Sequence, residues 1–169
     1  WSMATGAGAI QTYCTTDAGI VYQLLSGVWT SVFTGLPDGN VQFAAVNGLA
    51  YFVRSGTALV HRQATSGGAF TTVAGSPSGK ACISMYGRLW VMDDTTVKTH
   101  ATVLDPTSAY STAVELRFAW EKGNDESVAL AEFNGNLVIF GKGNTVIYAD
   151  PEDPLGGSST FSKVESISG

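Results

Sequence analysis

Few residues in this chain have the type and spacing that chemistry demands. His61 and His100 each sit inside a strand-like run, and a pair of imidazoles is the usual beginning of a metal site or a general base. No cysteine or carboxylate stands beside either at ligand spacing, so both read as strand histidines rather than ligands. Asp93-Asp94 ahead of Thr95-Thr96 suggests calcium, but the alternating acidic loop with a later glutamate is missing, and a turn is expected there. Glu152 and Asp153 beside Glu121, Asp125 and Glu126 are candidates for the two carboxyls, roughly 5 to 10 Å apart, that glycoside hydrolysis needs. No arginine cluster or tyrosine nucleophile pattern supports them, and Thr16-Asp17-Ala18-Gly19 is only a fragment of a Ser-x-Asp-x-Gly-x-Thr-Trp box. Gly6-Ala7-Gly8 and Gly141-Lys142-Gly143-Asn144 are short turns rather than phosphate cradles. Cys14 and Cys82 belong to no CxxC or Cys/His pattern, lie in apolar runs, and are expected as buried free thiols. No catalytic, cofactor-binding or metal-ligating residue is assigned, and a non-enzymatic protein is expected.

Composition sets the frame for the elements that carry these residues. Hydrophobic residues make up 44% of the chain, enough for a real core, while charged residues are only 14% and glycines number 20. Low charge with many turn formers points to short strands. Nine Lys and Arg against 14 Asp and Glu give a net charge of -5, which leaves no basic footprint for reading nucleic acid. No apolar run approaches the length of about 18 residues expected of a membrane helix, and no targeting segment is recognisable. The chain opens on Trp1 in ordinary repeat material and is expected to be part of a longer polypeptide.

The organising feature is an internal repeat. IQTYCTTDAGIVYQL, VQFAAVNGLAYFV, ACISMYGRLWVMD and VALAEFNGNLVIFG each read as an alternating strand, a turn ending in glycine (Gly19, Gly48, Gly87, Gly135) and a second strand. Asn47-Gly48 and Asn134-Gly135 are the strongest hairpin signals, because a type I′ turn needs positive φ at both central residues. Three residues past each glycine stand Tyr22, Tyr51, Trp90 and Val138, expected at matching depth in a layered core. A second mark, aromatic then Ser/Thr, recurs at Trp29, Phe70, Tyr110 and Phe161, at spacings of 41, 40 and 51 residues. Periods of roughly 40 to 50 residues are those of four-stranded propeller blades. Further runs, TALVHRQA, TTVKTHATV and GNTVIYAD, supply another strand in repeats two to four, and the first repeat lacks room for it.

The expected fold is therefore all-β: antiparallel β-propeller-like blades in about four repeats (10–34, 41–75, 80–118 and 127–167), part of a larger propeller. An open arc would leave an apolar face bare at each end. Trp29, Tyr51 and Trp90 fall at repeat positions and are expected as core layers. Asp105-Pro106, Asp150-Pro151 and Asp153-Pro154 end strands, since proline cannot donate to a ladder. Trp120, with Glu121 and Lys122, lies in a charged insertion and is the candidate contact to another protein. Asn40, Asn47, Asn134 and Asn136 are the residues a lectin-like, carbohydrate- or receptor-binding propeller would draw on.

Two strings, YGRLWVMDDTTVKTHATVLDPTSAY and FNGNLVIFGKGNTVIYADPEDPLGGSSTFSKVESI, resemble blades of the tail nozzle or DNA-stabilisation (tail tubular) proteins of short-tailed bacteriophages. The resemblance spans residues 10 to 169 and rests on the hairpin, the Asp-Pro loop and the aromatic outer strand. It implies a virion tail protein in a homo-oligomeric, hexameric ring, docking adaptor or portal and tail fibre proteins. Viral DNA would pass through without sequence-specific binding, and the acidic balance suits a lumen that does not grip it.

Overall fold

The computed structural model describes residues 2–4, 10–54, 60–85, 87–93, 96–100, 109–110, 112–117, 119–120, 123–124, 126–149 and 162–168. All regular structure among them is strand. Four antiparallel meanders, each of four strands in sequence order, form four blades. Blade 1 holds β1 (Ser2–Ala4), β2 (Ile10–Thr15), β3 (Val21–Leu25) and β4 (Val28–Phe33). Blade 2 holds β5 (Val41–Val46), β6 (Leu49–Arg54), β7 (His61–Gln63) and β8 (Phe70–Thr72). Blade 3 holds β9 (Ala81–Met85), β10 (Arg88–Met92), β11 (Thr96–His100) and β12 (Thr112–Arg117). A small ladder of β13 (Ala119–Trp120) and β14 (Gly123–Asn124) precedes blade 4, which holds β15 (Ser127–Phe133), β16 (Asn136–Gly141), β17 (Asn144–Ala149) and β18 (Ser162–Ser168). The chain is an all-β, propeller-like array.

Turn chemistry sets the hairpins. Asn47 and Gly48 have φ of 51° and 77°, and Asn134 and Gly135 the same pair of values, the double positive φ of a type I′ turn. Ser26-Gly27, at 50° and 83°, makes a third such turn between β3 and β4 that its residue types announce less loudly.

The blades stack through strand alternation. In β6, Ala50 and Phe52 join Tyr13, Val21 and Phe70 in the seam between blades 1 and 2. Their neighbours Tyr51 and Val53 point the other way, to Leu89, Val91 and Cys82 between blades 2 and 3. In β10 the same switch sends Trp90 and Met92 to Leu137 and Ile139 between blades 3 and 4. Adjacent residues thus serve adjacent seams, because successive side chains leave a strand on opposite faces. Blades 2 to 4 approach most closely through their first strands, β5 to β9 and β9 to β15, so these sheets converge on that side. At that inner seam the Cys82 N–H donates to Gln42 Oε1 at 3.3 Å.

Blade 1 departs from the sequence expectation. It is not short of a strand: β1 supplies it, pairing Ser2 with Thr12 and Ala4 with Ile10. Gly19 therefore lies between the second and third strands, whereas Gly48, Gly87 and Gly135 lie between the first and second. The repeat is displaced by one strand there, and so Tyr22 is half-buried while Tyr51 and Trp90 are wholly buried. The residue of blade 1 that matches them in strand order is Tyr13, on β2, at 1% exposure. Trp29 is likewise no core layer: it sits on the outermost strand of blade 1 with 46% of its surface exposed.

Candidate functional site

The polar side chains with the deepest burial converge on the seam between blades 1 and 2. Tyr13 on β2 and Gln23 on β3 share a face, since the two are direct cross-strand partners. Opposite them, Gln63 closes β7. The Tyr13 hydroxyl donates to Gln63 Oε1, and Gln63 Nε2 donates to Gln23 Oε1 at 2.9 Å and to the Gly68 carbonyl at 2.7 Å. Gln23 Nε2 donates to Ser66 Oγ at 3.0 Å, and its Oε1 also accepts the Gly67 N–H at 2.9 Å. Gln11 Oε1 also lies 2.5 Å from the phenol oxygen, so the one hydroxyl hydrogen of Tyr13 is shared between two amide oxygens. Burial pushes the Tyr13 hydroxyl well above its ordinary pKa. It stays a neutral donor in a network of amides that offers no base.

Outside this network opens a groove of about 550 Å³, lined by Ser31, Val32, Phe33 and Thr34 from the end of blade 1 and by Gly67, Ala69 and Phe70 from the last turn of blade 2. Its volume is that of a small-ligand site. Its chemistry is apolar with two hydroxyls, and none of these seven residues carries a charge.

The other chemistry-bearing residues are spent on structure. His61 is buried, stacked on Phe52 with centroids 4.6 Å apart and 6° between planes, and edge-on to Phe33 at the same distance. His100 lies on β11 opposite Thr112, a position on another blade. The Asp93 carbonyl accepts the Ser127 hydroxyl, bracing blade 3 to blade 4, while Asp94 lies outside the described residues. Tyr110 clamps two blades, its N–H donating to the Ala74 carbonyl at 2.7 Å and its hydroxyl to that of Leu89 at 3.4 Å. Among the described residues no group of three or more His, Cys, Asp or Glu is placed to hold a metal.

Glu126 is the one member of the expected carboxylate set whose side chain is described. Lys142 Nζ stands 2.6 Å from its Oε2 and Lys80 Nζ 2.9 Å from its Oε1, and hydrogen bonds from Lys142 first and Lys80 second hold its carboxyl at about 2. Asp38 is held below the usual carboxylate range by the Arg54 guanidinium, whose Nε lies 3.1 Å away, and by the Asn40 N–H. Both pairs fasten blade ends. Glu121, Lys122, Asp125, Glu152 and Asp153 lie outside the described residues, as do the three Asp-Pro pairs. Trp120 is placed only in backbone, on β13 opposite Gly123.

The asparagines do not form one loop level. Asn40 precedes β5 and Asn47 follows it, so a whole strand separates them, about 20 Å at 3.4 Å per residue. Cys82 is buried and free, its thiol pushed up to about 12 by burial, and Cys14 is free but only half-buried.

An arc of wedge-shaped four-stranded meanders stacked face to face is the architecture of a β-propeller. Two solved structures similar to it are β-propeller proteins. YCF48, solved bound to a D1 peptide, superposes with a TM-score of 0.56 at 9% identity, over 85% of this chain and 49% of that one. The extracellular domain of BT4673 from B. thetaiotaomicron, described as a hybrid two-component system, superposes with a TM-score of 0.59 at 12% identity, over 94% of this chain and 21% of that one. The chain thus spans about half of the first and a fifth of the second. No protein-family profile matches the sequence, and no curated protein is similar to it.

Proposed function

We propose that this protein is a non-enzymatic structural component of a short-tailed bacteriophage tail, a nozzle or hub ring that docks neighbouring tail proteins around the DNA ejection channel. The observation that carries the structural part is the use made of polar side chains. Tyr13, Gln23 and Gln63 tie blade 1 to blade 2, Tyr110 ties blade 2 to blade 3, and Lys80, Glu126 and Ser127 tie blade 3 to blade 4. A framework so cross-braced suits a load-bearing part. The tail assignment rests on the hairpin and outer-strand resemblance and on the acidic net charge of -5. Electron cryo-microscopy of the native source particles tests it: copies in a ring around a channel are expected, and a dispersed monomer overturns it.

One observation favours a second reading, a ligand-binding propeller with a carbohydrate- or receptor-binding role. The uncharged groove between blades 1 and 2 has the size of a ligand site and two hydroxyls, Ser31 and Thr34, at its wall. A related architecture, YCF48, is solved with a peptide bound. Glycan-array screening separates the readings: saturable binding that is lost in Thr34→Asp supports the groove, and no binding leaves the scaffold.

A further inference from the structure

The rim of each blade is the outer edge of its fourth strand, where backbone groups that have no partner within the sheet point outward. Three of the four rims carry the usual guards against pairing with another strand. β8 has only three residues, β12 contains Glu115 and Arg117, and β18 contains Lys163 and Glu165. β4 has six residues, VWTSVF, with neither charge nor proline. Among the described residues no strand pairs with its outer edge. Val28 is 65% and Trp29 46% exposed, and Thr30 and Ser31 are exposed with them. This edge lies in the plane of the sheet and is set by β3 and β4, whatever stacks on the faces of the blade.

Register decides which groups point out. Ser26-Gly27 is a two-residue type I′ turn, so Leu25 and Val28 exchange hydrogen bonds across it, and Gln23 and Thr30 do the same two residues on. The N–H and C=O of Trp29 and Ser31 therefore point away from β3. The ladder slips by one residue at Val32, which ends the flat stretch and turns that side chain into the seam at 4% exposure. There the groove of about 550 Å³ opens toward blade 2, on the side that Thr30 shares with Gln23. Every second side chain of a strand laid along β4 would fall on that side. Val32, Phe33, Ala69 and Phe70 would receive it as an apolar group, and no lining residue carries a charge to balance an ion.

We propose that β4 is a strand-addition site: an extended, uncharged segment of a partner protein pairs with the backbone of Trp29 and Ser31 and sets an apolar side chain into the groove. A row of outward donors and acceptors at strand spacing is complemented by another strand, because only a second extended backbone repeats those groups at the same interval. Main-chain pairing supplies the affinity, and the groove beside it supplies the selectivity. This names the ligand class of the ligand-binding reading and rests on that reading.

A displayed library of random linear peptides panned on the chain supplies the probe, and an enriched peptide is synthesised and titrated. Uncharged sequences with aliphatic or aromatic residues at alternate positions are expected. Ser31→Pro removes an outward N–H and leaves the ladder intact, so it should match wild type in circular dichroism and bind at least about tenfold more weakly. Ala69→Trp, at an exposed residue of the groove, should weaken binding by a similar factor. Hydrogen exchange needs no substitution: the Trp29 and Ser31 amides should exchange readily in the free chain and slow at least about tenfold in saturating peptide. No enriched peptide, binding indifferent to both substitutions, or unchanged exchange at those two amides overturns the proposal. Self-association abolished by Ser31→Pro also overturns it, making β4 of a second copy the occupant. Glycan binding that Thr34→Asp abolishes, with no peptide binding, sinks this inference and keeps the ligand-binding reading; loss of both sinks the two together.

Discussion

Replacing Trp90 by alanine tests the stacking logic most directly. The side chain is wholly buried, packed with Met92, Leu137 and Ile139 between blades 3 and 4, and its indole N–H donates to the Met85 carbonyl at 3.0 Å. Removing a buried aromatic of about 200 Å² forfeits roughly 5 kcal/mol of transfer free energy at about 25 cal/mol per Å². Partial collapse of the seam recovers some of that, and measured aromatic-to-alanine losses run to about 3 to 5 kcal/mol. The expected loss is about 4 kcal/mol, which for a chain of this size lowers Tm by roughly 8 to 16 °C. Urea unfolding followed by far-ultraviolet circular dichroism, at one fixed protein concentration, reads it. Trp90→Phe keeps most of the volume and loses the N–H, so about 2 kcal/mol is expected. Val91→Ala, on the neighbouring position but in the other seam, is expected to cost about 2 kcal/mol through Tyr51 and Leu89 instead. A loss under about 1 kcal/mol for Trp90→Ala would falsify the assignment of this strand as the hinge between two seams.

Three other outcomes follow from local geometry. A Cβ on Gly19 (φ +72°) would lie 1.8 Å from the Leu36 carbonyl oxygen, whereas one on Gly135 (φ +77°) meets open space. Gly135→Ala should therefore cost about 1 kcal/mol of backbone strain alone, and Gly19→Ala well over about 2 kcal/mol; equal losses in thermal unfolding would show that the close approach is absent. Tyr13→Phe removes the donor to Gln63 Oε1 and should cost about 1 to 3 kcal/mol, while Tyr22→Phe, half-buried on the other face, should be nearly neutral. Glu126 titrates at about 2 in the folded chain against 4.5 as its ordinary value, so its contribution is present above pH 4.5 and lost as pH falls toward 2. Wild-type stability should drop toward that of Glu126→Gln over this window, and curves that stay parallel across it would remove the lysine pairing.

Turns and alternation were legible in the sequence because both are properties of a few neighbouring residues. Asn47-Gly48 and Asn134-Gly135 tolerate the positive φ they adopt, and the period of two along β6 and β10 already separates Tyr51 from Phe52 and Trp90 from Val91. Those two signals suffice for four antiparallel repeats. The blade phase was not legible at the beginning of the chain. The TTDAG turn looks like the other hairpins, and only the pairing of β1 with β2 shows that it joins a different pair of strands.

The rest belongs to the tertiary structure because it depends on residues far apart in sequence. Gln23 and Gln63 are 40 positions apart, and Lys80 and Glu126 are 46. His61 owes its place to the ring of Phe33 on the neighbouring blade as much as to Phe52 on its own. Trp29 carries the same aromatic mark as Phe70, yet one is exposed and the other buried. Composition and spacing cannot separate them, because what differs is whether another blade lies across the face. The sequence by itself determined which residues face each side of a sheet; only the stacking of sheets decided which of those sides are covered.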